Sequence, residues 1–99
     1  MNDILKIKNV FVLPFKSGYE NGPLGVARVE LSCGLFLSEM RIYEDVKEPD
    51  GLYISFPTRE GTNGEIHKVY YPNTNDARII ITEAVTREYL IKTRKHRNA

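Results

Sequence analysis

Up to Tyr71 the chain alternates apolar and polar residues with a period of two, and from Thr74 onward it switches to helical spacing. In Ile4–Leu13, Ile4, Lys6 and Lys8 stand against Leu5 and Ile7, and then Val10 and Val12 stand against Phe11 and Leu13. The alternation shifts near Asn9, which predicts one strand with a bulge there. Ser17–Pro23 is rich in turn residues and reads as a loop. Leu24–Leu31 alternates again, with Ala27, Val29 and Leu31 on one face among Arg28 and Glu30. After the tight connection Ser32-Cys33-Gly34, Leu35–Tyr43 places Leu35 and Leu37 opposite Phe36, followed by Met40 and Ile42. These two segments predict a hairpin.

The acidic segment Glu44–Asp50 closes on Pro49-Asp50-Gly51, a turn signal. A fourth strand is expected over Gly51–Pro57, with Leu52, Ile54 and Phe56 on one face and Tyr53 and Ser55 on the other. Within Glu60–Gly64, the pair Asn63-Gly64 supplies the positive φ angles of a hairpin turn, so Ile66–Tyr71 is expected to return as the partner strand before Pro72 stops it. Thr74 or Asn75 can cap a helix, and Asp76 suits its first turn. Ala77, Ile81, Ala84, Val85 and Tyr89, with Ile80 beside them, supply the apolar face; Arg78, Thr82, Thr86 and Arg87 are assigned to the other side. Five strands in sequential hairpins and one C-terminal helix predict an α+β domain with an antiparallel meander and the helix on one face.

Ninety-nine residues make one domain, read here as a body over 1–91 and a basic tail over 92–99. A chain of this size has a modest core, and dimerisation would enlarge it. No apolar run is long enough to cross a bilayer, and Met1–Lys6, without a positive n-region before a long apolar stretch, is not expected to begin a signal peptide. Cys33 is alone, so no internal disulfide forms, which fits a reducing cytoplasm. The net charge of +1 hides an asymmetry. Residues 1–77 hold eight Lys and Arg against eleven Asp and Glu, whereas residues 78–99 hold six against two. The positive field therefore gathers at the helix and its end.

Several features have the order and spacing of one family. Gly51-Leu52-Tyr53-Ile54-Ser55-Phe56-Pro57-Thr58-Arg59 is followed by Gly64-Glu65 and by a strand ending at Pro72. A helix then carries Arg78 near its start, Ala84-Val85, and Glu88-Tyr89. This arrangement resembles the bacterial SpoVG family, the septation-protein family of small nucleic-acid-binding regulators. The N-terminal half fits in strand order, with Gly25–Leu31 and Leu35–Tyr43 as the matching pair. The chain departs from the family pattern where acidic Glu60 follows Arg59, in longer loops at Phe15–Leu24 and Glu44–Asp50, and in the apolar run Ile79–Ile81. The resemblance implies a homodimer joined through sheet edges and a partner that is DNA, RNA or both.

Lys92, Arg94, Lys95 and Arg97, with Arg78 and Arg87 upstream, are the candidate phosphate-binding residues. Charge alone favours a solvated tail that keeps the protein soluble, since short basic tails are common; the resemblance reverses the reading toward nucleic acid. Arg78 suits a phosphate or a base edge, or an ion pair with Asp76 or a strand carboxylate. Arg59 and Lys68 are expected to pair across the hairpin with Glu60 and Glu65. Tyr53, Tyr70 and Tyr71 are read as packing residues ahead of base-stacking ones. Cys33, His67 and His96 show neither a catalytic pairing nor ligand spacing, and Gly61–Glu65 lacks the Gly-Lys-(Ser/Thr) of a P-loop. No reaction, metal, cofactor, membrane or small-molecule substrate is expected. The alternative function is a protein-interaction adaptor in cell division or sporulation.

Overall fold

The structure is a computed structural model that describes residues 5–16, 22–48 and 50–97, with side chains as far as Thr93. Most of the loop read at Ser17–Pro23 lies outside the described residues. Strands β1 (Ile7–Pro14), β2 (Gly25–Leu31), β3 (Phe36–Glu44) and β4 (Leu52–Ser55) form one antiparallel sheet in the order β1-β2-β3-β4. A second, two-stranded sheet pairs β5 (Thr58–Glu60) with β6 (Ile66–Lys68), and α1 runs over Asn75–Arg97. The architecture is the expected α+β arrangement with one C-terminal helix.

Alternation decides which face of the sheet the helix covers. Val12, Ala27, Val29, Leu31, Met40, Ile42 and Ile54 point inward, and Ile81 and Val85 of α1 close over them. Val29, Met40, Ile42 and Val85 are fully buried. Burial of such a side chain contributes about 1.5–3 kcal/mol. Two bulges keep this face apolar. In β1, Ile7 pairs with Leu31 and Asn9 with Glu30, so Lys8 is the extra residue at the place the alternation marks. In β3, Ala27 pairs with Met40 and Val29 with Leu37, so Ser38 and Glu39 together oppose Arg28. That second bulge moves the inward set from Leu37 to Met40 and Ile42, and Glu39 sits in the left-handed region with φ 62.

The main difference from expectation lies after Ser55. Gly51–Pro57 and Ile66–Tyr71 do not pair as two long strands of the main sheet. Pro57 has no N–H to extend a ladder, so β4 ends at Ser55 and the chain starts a short hairpin of its own. Thr58 pairs with Lys68, Arg59 with His67 and Glu60 with Ile66, around a turn in which Gly64 takes φ 85. Leu52, Ile54 and Phe56 do line one face, as their spacing predicts, and all three pack against the core. The Phe56 and Tyr70 rings meet edge to face at 5.9 Å and tie the base of the small hairpin to the body.

Helix α1 begins where the cap residues place it. The Ala77 amide donates to Thr74 Oγ1 at 3.1 Å, which satisfies one orphan donor of the first turn. Its inward stripe differs from the predicted one. Thr86 is buried and Arg78 half-buried, so both belong to the sheet-facing side with Ile81, Thr82, Val85 and Tyr89. Those positions recur at three- and four-residue intervals, the spacing of one helix face. A threonine can sit there because its methyl packs like a valine's, whereas hydropathy alone assigns it to water.

Candidate nucleic-acid interface

Arg78 and Lys92 stand at opposite ends of the inward stripe of α1, about 21 Å apart along the axis. The Arg78 guanidinium lies over the Phe56 ring at 5.8 Å. It also borders a cleft of about 300 Å³ together with Glu48, Asp50 and Glu83. Among the described residues no ion pair within 4 Å involves Arg78, so the alternative of an ion pair with Asp76 or a strand carboxylate is not realised. An anion approaching Arg78 would meet three carboxylates in the same cleft.

Lys92 reaches the other way. Its Nζ donates to the Val12 backbone carbonyl at 2.9 Å, on the outer edge of β1. This bond satisfies an edge carbonyl and holds the last turns of α1 to the sheet. Arg87 is nine positions from Arg78, about two and a half turns, and so points away from the sheet into solvent. The candidate cations thus do not make one stripe. The backbone of Arg94, Lys95 and Arg97 continues α1, and their side chains lie outside the described residues.

On the small hairpin, Lys68 does not pair with Glu65. Its Nζ sits over the Tyr71 ring at 4.7 Å, and Glu65 faces His67 at 3.4 Å instead. The reason is register: Lys68 lies opposite Thr58, and Arg59 opposite His67, so the expected charge pairs are not cross-strand neighbours. Tyr70 is a packing residue. Its hydroxyl donates to the Ser38 carbonyl at 2.6 Å, and burial, with the Glu39 carboxylate second, pushes its pKa from 10.0 up to about 12. Tyr53 and Tyr71 remain exposed.

Among the described residues no cluster of His, Cys, Asp and Glu could hold a metal ion, and no helix is long and apolar enough to cross a membrane.

The sequence model of the SpoVG family matches residues 5–90. This chain belongs to the SpoVG family. Membership makes it one of a family of small bacterial regulatory and septation proteins. The match takes in all six strands and most of α1, so the N-terminal half is as much a part of the SpoVG pattern as the stretch after Gly51. Arg78 and Arg87 lie inside the matched region, and Lys92, Arg94, Lys95 and Arg97 lie beyond it. A comparison with curated proteins gives no match.

Proposed function

We propose that this SpoVG-family chain is a homodimeric regulator that binds DNA or RNA through the outward side of α1 and the basic run that ends it. The observation that carries the reading is the charge of the C-terminal segment: from Arg78 onward, six Lys and Arg stand against two Asp and Glu, while the rest of the chain is net negative. Arg87, Arg94, Lys95 and Arg97 are the phosphate contacts in this reading. Arg78 and Lys92 contribute mainly by fixing the two ends of the helix. Phosphate contacts supply sequence-independent affinity and make it fall with salt.

The two sheet edges support the dimer. On the β1 edge, the Lys92 ammonium of α1 caps the Val12 carbonyl. Among the described residues, β4 at the other end of the strand order pairs with β3 and no other strand, and the strands of the neighbouring β5–β6 hairpin are exposed, with Ile66 and Tyr71 open to solvent. An open edge beside exposed apolar side chains is suited to pairing with a second chain. A dimer would display two basic ends and raise affinity through effective concentration.

Fluorescence anisotropy with labelled duplex DNA, single-stranded DNA and RNA across a salt series tests the reading. Binding should weaken steeply with salt. Replacing Arg94, Lys95 and Arg97 by Ala, with Lys92 kept, should weaken it further and lower the salt slope by about 2–3 units. Absence of binding at low salt by a folded dimer would favour the protein-interaction adaptor.

A further inference from the structure

Among the described residues, no element packs over the face of the four-stranded sheet turned away from α1, and the side chains of that face are not those of an inert surface. Strand register places Phe11 directly opposite Arg28, and places Phe36 opposite Glu30, one inward–outward step along β2. The Arg28 guanidinium lies 4.8 Å from the centroids of both rings. Both rings stay substantially open, Phe11 at 42% and Phe36 at 49% exposure. Arg41 projects from the same face, opposite Val26 and Ser55. A shallow depression of about 470 Å³ runs between Phe11, Leu13, Val26, Arg28 and Arg41.

The charges of this face are unbalanced toward the positive. Glu30 is already engaged, by Asn9 Nδ2 at 2.9 Å and Lys8 Nζ at 3.8 Å. Among the described residues, no ion pair within 4 Å involves Arg28 or Arg41. Glu39, in the bulge, is the remaining carboxylate bordering the depression. The face therefore joins aromatic rings, a guanidinium held between two of them, and a second free guanidinium.

From this geometry we infer that the open sheet face is a stacking platform for unpaired bases of a single-stranded nucleic acid, with Arg28 and Arg41 meeting its backbone phosphates. The inference rests on the nucleic-acid reading above and adds a second surface to it, on the opposite side of the sheet from α1. Aromatic side chains on a sheet stack on bases of any sequence, and guanidinium groups add cation–π and phosphate contacts. A duplex has no unpaired base faces to offer, so the platform discriminates single strands from duplexes. A second copy of the chain fits less well. A two-fold contact on this face would bring four arginines together against two Glu39 carboxylates, the Glu30 of each copy being held by Lys8 and Asn9.

The test compares the full-length wild type with Phe11→Ala/Phe36→Ala and with the Arg94, Lys95 and Arg97 to Ala variant. Anisotropy is read on labelled single-stranded DNA, single-stranded RNA and duplex DNA, the first two arms distinguishing the sugar. The double phenylalanine variant should lose single-strand affinity about tenfold or more, with duplex affinity and salt slope unchanged. The arginine and lysine variant should lose affinity on all three. In parallel, wild-type protein is photocrosslinked to 4-thiouracil-bearing RNA and 4-thiothymine-bearing DNA, and adducts are mapped by mass spectrometry; adducts are expected at Phe11 or Phe36. This arm needs no variant to fold.

If wild type binds none of the three polymers, the nucleic-acid reading fails and the platform with it. If wild type binds single strands but the phenylalanine variant binds them equally well, or adducts map to the C-terminal run alone, the platform alone is overturned. Conversion of a dimer to a monomer by the phenylalanine variant in sedimentation would identify a second copy as the occupant and also overturn it.

Discussion

The Lys92 ammonium and the Val12 carbonyl, 80 residues apart in sequence, share a 2.9 Å hydrogen bond that ties α1 to β1. A lysine counted with a basic run is thereby a structural anchor. Lys92→Ala should cost about 1 kcal/mol, since the freed carbonyl is near water, and lower Tm by roughly 4–8 °C. The salt slope of nucleic-acid binding should change by less than one unit. Thermal denaturation followed by circular dichroism, with the anisotropy series alongside, separates the roles. An unchanged Tm with a slope lowered by a full unit would make Lys92 a phosphate contact.

Glu39 occupies a backbone conformation that favours glycine, with φ 62 in the two-for-one bulge opposite Arg28. Glycine inside a strand ordinarily destabilises by about 0.5–1 kcal/mol. Here Glu39→Gly should leave stability unchanged or raise it by up to about 1 kcal/mol, because relief of the left-handed strain offsets the entropy. Glu39→Val should lower it by more than 1 kcal/mol, roughly, since a β-branched residue tolerates this φ least. Urea midpoints of the two variants check the ordering.

Tyr70 links stability to alkaline pH. Its pKa is raised from 10.0 to about 12 in the folded state, so the folded protein holds the phenolic proton more tightly than the unfolded chain. The associated stabilisation is fully present below pH 10 and declines as pH rises toward about 12. Partial exposure screens it, and the expected contribution is about 1 kcal/mol. Tyr70→Phe should lower stability at neutral pH by a similar amount, through loss of the bond to the Ser38 carbonyl, and flatten this part of the alkaline decline. Denaturant midpoints from pH 8 to pH 12, roughly the window this shift sets, measure both effects.

Thr74 ends the approach to α1 by accepting from the Ala77 amide. Thr74→Ala should lower stability by about 1 kcal/mol, and Thr74→Asp should retain most of it, because a carboxylate serves the same donor and suits the positive end of the helix dipole. Chemical denaturation of the two variants reads the difference. Equal losses for Ala and Asp would show that the hydroxyl bond contributes little.

Much of this fold is legible along the chain because strand and helix periods are local properties. Ala27, Val29 and Leu31 declare the inward face of β2, the shift near Asn9 marks the first bulge, and Thr74 marks the helix start. The second bulge also had a signal, in the change of apolar parity from Leu37 to Met40 and Ile42, but only strand pairing shows that Ser38 and Glu39 absorb it. Polarity assigns Thr86 and Arg78 to the side away from the sheet; their places in the stripe follow from what α1 lies against.

Local patterning along the chain sets the element order, the inward faces of the main strands, the helix cap, the charge asymmetry and the family. Tertiary structure alone decided that Pro57 divides the sheet system into two, that Lys92 reaches Val12, and that Arg28 lies between Phe11 and Phe36. The physical reason is range. Alternation, capping and composition act between near neighbours, whereas a hydrogen bond across 80 residues or a guanidinium between rings from two strands exists only once the register of distant segments is set.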